Sequence, residues 1–135
     1  MQDLCLRFIF DINRKRDCNY DELRCELHWL NMHQRRISHS LVILFKILNK
    51  LGPSYLSDNF TQQYEIRNRV TRTFGGNICI PNSNYSAIHR RSFQVYISKV
   101  WNILPDNVKS CPTVTSFKNN LKKLFLNNTL ILPPP

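Results

Sequence analysis

One stretch, residues 92–105 (SFQVYISKVWNILP), predicts a single amphipathic helix with a defined start and a defined stop. Ser92 is predicted to cap it, because a serine oxygen can accept a free N–H of the first turn. Pro105 lacks an N–H and disfavours helix at the residue before it, so we expect the helix to end at Leu104. Gln94, Ser98, Lys99 and Asn102 fall largely outside the apolar face. That face recurs at helical spacing and contains Phe93, Ile97, Val100, Trp101 and Leu104.

Four further helices are predicted, at about 2–12, 19–30, 34–51 and 115–126. The first is apolar almost all round, which suits a buried helix or a buried strand, and we favour the helix. Asn19 is predicted to cap the second. The third has the clearest apolar stripe, and Gly52-Pro53 is predicted to stop it. The aromatic residues expected to hold the scaffold are Trp29, Phe45, Trp101 and Phe117.

The remaining segments connect these helices. Residues 53–56 are predicted to form a short helical turn, and residues 57–91 a loop or small β-hairpin with one short strand at 77–80. Residues 106–112 are predicted to be a connector. We therefore expect a mostly α fold of about five helices around one core, forming a single domain over 1–126 with a disordered tail at 127–135.

The chain is strongly basic, with 19 Lys and Arg residues against 9 Asp and Glu residues and a formal net charge of +10. A field of this sign favours an anionic partner such as nucleic acid, although a solvated basic surface is the simpler alternative. Since no base-reading motif is present, contacts to phosphates are expected. The candidate phosphate ligands are Arg35, Arg36, Arg67, Arg69, Arg72, Arg90, Arg91, Lys99, Lys118 and Lys122. Three aromatic residues, Tyr64, Phe74 and Tyr85, could stack on bases.

Other kinds of site have little support in the sequence. Cys25, His28 and His33 are close enough to suggest a metal, but no Cys-x2-Cys pair accompanies them. No catalytic constellation, phosphate-binding glycine loop, cofactor or small-molecule substrate is predicted. The five cysteines are odd in number and widely spaced, which favours reduced thiols and an intracellular protein, nuclear or cytoplasmic. The longest apolar run, 41–45, is far too short to span a membrane.

An ordered series of short motifs resembles a known family. In chain order the series is 6–10 (LRFIF), Trp29-Leu30, Arg35-Arg36 with His39, Pro53-x-Tyr55-Leu56, an Arg-rich loop, Ser92-Phe93, Trp101-Asn102-x-Leu104-Pro105 and Ser116-Phe117-Lys118. It resembles the carboxy-terminal, thumb-like segment that follows the polymerase domain in non-LTR (LINE-type, jockey-like) retrotransposon reverse transcriptases. The likeness covers roughly residues 4–126, and the series at family-like spacing is more specific than any one motif.

The resemblance implies a helical extension that grips template and primer in an RNA-directed DNA polymerase. The palm signature with its paired aspartates is absent, as are the zinc-knuckle cysteines of some related elements, so the chain is not expected to be an enzyme. It is expected to derive from a truncated or domesticated transposable element. The positions that match the family's recurring residues are Arg35, Arg36, Trp101, Asn102, Leu104, Pro105, Phe117 and Lys118.

Three hypotheses about function follow. The first is a non-catalytic, sequence-independent nucleic-acid-binding remnant that contacts RNA or DNA through phosphates. The second is an orphaned interaction module that packed on the missing polymerase domain and has no independent activity. The third, a peripheral membrane binder that uses the basic third helix, is disfavoured because the apolar stripe of that helix is needed for the core.

Overall fold

A computed structural model describes residues 2–12, 19–62, 76–80 and 92–127, and these are mostly α-helical, which confirms the predicted fold class. The five longer helices lie where five were predicted. A short helix at Ser54–Ser57 is the predicted turn, and one at Asp106–Lys109 is an additional helix in the predicted connector. The helices are α1 (Gln2–Ile9), α2 (Tyr20–Glu26), α3 (Met32–Leu48), α4 (Ser54–Ser57), α5 (Phe93–Ile103), α6 (Asp106–Lys109) and α7 (Val114–Leu126).

The core forms where α3 packs against both α5 and α7. Phe117 is fully buried and stacks on Phe45 with ring centroids 4.3 Å apart, while its centroid lies 5.9 Å from that of Trp101. These three residues hold the scaffold as predicted. Trp29 does not, because it is half-buried and lies outside the core cluster.

Helix α3 begins and ends earlier than predicted. Asn31 accepts a hydrogen bond from the Gln34 backbone N–H, and the Gln34 side chain accepts one from the Asn31 N–H, so a capping box starts the helix at Met32. The helix ends at Leu48 because Lys50 adopts a left-handed conformation with φ 56°. The Gly52-Pro53 pair therefore follows the stop and does not produce it.

Helix α5 ends as predicted, with Leu104 as its cap, and Trp101 is 3 % exposed. The prediction that Ser92 caps the helix by its side chain was wrong, because its oxygen makes no capping hydrogen bond. Ser98 is buried although it was predicted to lie off the apolar face, and Phe93 is exposed. Helix α5 contacts α3 and also the 76–80 segment, so the buried arc of the helix is wider than one stripe and includes Ser98.

Helix α1 buries much less than predicted, and α2 is also poorly covered. Asn19 caps α2 as expected, with its side-chain oxygen accepting the Asp21 N–H at 3.3 Å. However, α2 ends at Glu26 because His28 has φ 53°, and no residue of α2 is buried. In α1 only Leu6 is buried, while Phe8 is 89 % exposed. The first helix is therefore not enclosed by the described part of the chain.

The predicted strand at 77–80 is reduced to one antiparallel bridge between Gln62 and Ile78. Side chains of α5 hold this segment by hydrogen bonds. Within the described ranges, no helix combines the length and apolar character that crossing a bilayer requires.

Candidate nucleic-acid interface

Helices α3 and α7 pack in an antiparallel pair that brings predicted site residues together. The amide nitrogen of Gln34, in the first turn of α3, lies 3.5 Å from the carbonyl oxygen of Phe125, near the end of α7. Because side chains four apart lie on one face of a helix, Lys118 and Lys122 project from the same side of α7. The pairing sets this side against the exposed edge of α3.

Between the two helices runs a surface groove with two lobes of about 380 Å³ each. The lobes share Leu30, Ser38, His39 and Lys122, so they are continuous. We call this the α3–α7 groove and define it by the residues of both lobes, which are His28, Trp29, Leu30, Arg35, Ser38, His39, Val42, Ile43, Lys118, Asn119 and Lys122.

The charged side chains that line the groove are all positive. Three of its residues, Arg35, Lys118 and Lys122, are exposed cations, and no carboxylate of the described residues lines either lobe. None of the three forms an ion pair with any other described side chain. Their uncompensated positive charge makes the groove attractive to an anion.

Among the described residues, the acidic side chains that form ion pairs lie outside the groove. Asp3 and Asp21 each lie 2.6 Å from the guanidinium of Arg24, which joins α1 to α2. Asp106 lies 3.6 Å from the amine of Lys109. The ion pairs in the described ranges therefore leave the groove cations available to a ligand.

The first turn of α3 adds to this potential. It has no acidic residue, although acids are favoured there, and Arg35 follows it directly. A cation near the positive end of a helix dipole destabilises the helix slightly, typically by about 0.3–1 kcal/mol. A phosphate bound beside Arg35 would remove this repulsion.

The other predicted site residues are not in the groove. Arg36 is exposed on α3 and Lys99 is half-buried on α5, and neither lines a lobe. Those that lie outside the described residues are Arg67, Arg69, Arg72, Arg90 and Arg91, together with Tyr64, Phe74 and Tyr85.

Sequence reasoning did not identify Ser38, Asn119 or the apolar groove residues as part of a site. One signal was present in the sequence: residues 32–48 and 114–126 contain neither Asp nor Glu. Each of these helices has one exposed side, and an exposed side without acids is unusual on a globular surface, where charges of both signs are normally interspersed. The pairing of these two helices was not readable from either one alone.

The Trp101-Asn102 pair has a structural role. The indole N–H of Trp101 donates to the Gly76 carbonyl at 2.8 Å. The Asn102 side chain accepts from the Ile78 N–H and donates to the Ile78 carbonyl, both at 2.9 Å. These bonds attach the 76–80 segment to α5, and we refer to them as the α5 clamp.

Lys109 completes the attachment of this segment. Its amine donates to the Asn77 side-chain oxygen at 2.8 Å and to the Asn102 carbonyl at 3.3 Å. Burial lowers the pKa of the Lys109 amine, and the nearby Asp106 carboxylate partly offsets that effect. Because its amine is buried and hydrogen-bonded within the fold, Lys109 is not a candidate phosphate ligand.

The possible metal ligands are not brought together. Cys25 lines a cavity beside Arg24, His28 lines the α3–α7 groove, and His33 lines neither. No group of three His, Cys, Asp or Glu side chains in the described ranges is arranged to hold a metal ion. The described cysteines, Cys5, Cys25, Cys79 and Cys111, are free thiols.

No family model, curated protein or solved structure matches this chain. The resemblance to retrotransposon reverse transcriptases therefore stays a prediction that rests on the sequence motifs.

Proposed function

We propose that this chain is a non-catalytic, sequence-independent nucleic-acid-binding module, related to the thumb-like segment of non-LTR retrotransposon reverse transcriptases. It binds the phosphates of RNA or DNA in the α3–α7 groove. Arg35, Lys118 and Lys122 are its principal ligands. Ser38 and Asn119 supply neutral hydrogen-bonding groups beside them.

One observation carries the proposal: three exposed cations from two different helices line a single groove, and no acidic side chain of the described residues lines it. A solvated basic surface of the ordinary kind would place its charges singly, with acids between them. Convergence of cations on one concave surface is typical of phosphate-binding sites, where the electrostatic term dominates affinity.

The test is a fluorescence-anisotropy titration of a labelled RNA–DNA hybrid with the purified chain and with the double variant K118A/K122A. Both lysines are exposed on α7, so the variant should fold normally. Removal of two phosphate ligands should weaken binding on the order of tenfold or more at low salt.

The matched control is K46A/K123A, which removes the same charge from two exposed lysines of α3 and α7 that lie outside the groove. Its affinity should stay close to that of the unchanged chain. Equal losses of affinity in the two variants would contradict the groove and leave only a diffuse effect of net charge.

A second candidate function is supported by α1. Leu4, Phe8 and Ile9 are 64 %, 89 % and 49 % exposed, which is a large apolar area for one short helix. Apolar patches of this kind mark protein–protein contacts. We infer as the alternative an interaction module whose first helix packed against a polymerase domain in the parent protein.

Sedimentation of the chain and of Phe8→Gln distinguishes the two functions. An interaction module deprived of its partner should self-associate at micromolar concentration, and the Phe8→Gln variant should sediment as a monomer. A nucleic-acid-binding module should be monomeric in both forms. A monomeric chain that also fails to bind nucleic acid would contradict both functions.

A further inference from the structure

The α3–α7 groove contains an apolar strip beside its cations. Ile43 is 49 % exposed, and it adjoins Leu30 and Val42, which pack on the core beneath. Burial of apolar area that would otherwise stay in water is favourable in proportion to that area. A ligand that covers this strip therefore gains affinity that a purely ionic ligand does not.

In the lobe that contains the apolar strip, the two lysines, Lys118 and Lys122, both belong to α7, whereas Arg35 lines the other lobe. Lys118 and Lys122 are four residues apart on α7, which separates their backbone positions by about 6 Å along the helix. Asn119 lies between them and faces the same lobe. The ligand should thus present negative charge along one edge and a flat apolar body on the other.

We propose that the groove binds single-stranded RNA or DNA in preference to a duplex, and this inference rests on the proposed function. An unpaired nucleotide has phosphate on one edge and an exposed base face on the other, which matches the two walls. In a duplex the base faces are stacked on one another, so only phosphates would reach the groove and the apolar strip would stay uncovered. Each lobe, at about 380 Å³, is near the small end of ligand sites and suits one nucleotide.

The test compares labelled oligonucleotides of one sequence as single-stranded RNA, single-stranded DNA, DNA duplex and RNA–DNA hybrid, at one ionic strength. The unchanged chain should bind a single strand on the order of tenfold more tightly than either double-stranded form, because only an unpaired base can cover the apolar strip. The two single-stranded probes show which sugar is preferred.

Ile43→Ser removes the apolar strip without a change in charge. It should reduce single-strand affinity several-fold and leave duplex affinity unchanged. Ile103→Ser is the matched control, because Ile103 is exposed to the same degree on α5, outside the groove. Circular dichroism establishes that both variants are folded.

Equal or tighter binding of the duplex would overturn the single-strand preference while the proposed function stands. Failure to bind any of the four nucleic acids would overturn both together. An acidic peptide that displaces the single strand as well as unlabelled oligonucleotide does would also overturn the inference, because such a peptide offers charge without base faces.

Discussion

Asn102 satisfies both polar groups of the Ile78 residue, which is fully buried and 24 positions away in the sequence. A buried N–H or C=O that loses its partner costs about 1–3 kcal/mol, whereas a paired one contributes only about 1 kcal/mol. The α5 clamp therefore matters chiefly because its removal would leave two buried backbone groups unpaired.

Asn102→Ala should lower the free energy of unfolding by about 2–4 kcal/mol, since both hydrogen bonds to Ile78 are removed at once. Urea denaturation followed by circular dichroism measures this change. Asn107→Ala, at an exposed position of α6, is the control and should change stability by less than about 0.5 kcal/mol. A destabilisation at Asn102 no larger than that at Asn107 would show that the clamp does not stabilise the fold.

At the residue scale, the sequence predicted the burial of large side chains better than it predicted the hydrogen-bond partners of polar side chains. The burial of Trp101 and Phe117 follows from helical spacing alone. The bonds from Asn102 to Ile78 and from Lys109 to Asn77 join residues distant in the sequence, and periodicity holds no information about them. Ser92 shows the opposite error, a bond that was predicted but is not formed, because this favourable capping residue lies in the right place and makes no capping hydrogen bond.

At the scale of elements, three of the described helices have the same kind of C-terminal end. Asp11, His28 and Lys50 follow α1, α2 and α3 with φ of 50°, 53° and 56°. In each case the next N–H donates back five residues, as from Leu51 to the Lys46 carbonyl at 2.8 Å. This is the Schellman arrangement, in which glycine is the favoured left-handed residue.

Lys50→Gly should therefore raise the free energy of unfolding by about 0.5–1 kcal/mol. The left-handed conformation costs a non-glycine residue roughly 1–2 kcal/mol, which glycine avoids. The greater conformational freedom of glycine in the unfolded chain offsets part of this stabilisation. Chemical denaturation of the purified variant measures the change.

Lys46→Gly, at an exposed position inside α3, should instead lower the free energy of unfolding by about 1 kcal/mol. Both substitutions remove one lysine, so an effect of charge alone would change the free energy of unfolding of both variants in the same direction. A destabilised Lys50→Gly variant would contradict the described end of α3.

Element boundaries show where sequence reasoning fails for α2 and α3. The leucine spacing at Leu23, Leu27 and Leu30 continued the helical period, yet the backbone reverses at His28. Similarly, Gly52-Pro53 was predicted to stop α3, although the chain has already turned at Lys50. A non-glycine residue in the left-handed region has no clear sequence signature, so both ends were predicted too late.

At the scale of the whole molecule the central feature is the antiparallel pairing of α3 and α7. Each helix was predicted from its own stripe, and Arg35, Lys118 and Lys122 were predicted as separate cations. The packing of the two helices, in which Phe45 stacks on Phe117, brings their outer edges together as one groove. The basic charge was therefore readable from the sequence, but the geometry that concentrates it was not.

The most direct test of the α3–α7 groove is the salt dependence of nucleic-acid affinity for Arg35→Ala and Arg36→Ala. The two arginines are adjacent and exposed on α3, but only Arg35 lines the groove. Because Arg35→Ala removes one phosphate ligand, it should flatten the plot of log affinity against log salt by about 0.7–0.9 in slope, and Arg36→Ala should leave the slope unchanged. Equal slopes for the two variants, whether both are flattened or neither is, would contradict the groove as the binding site.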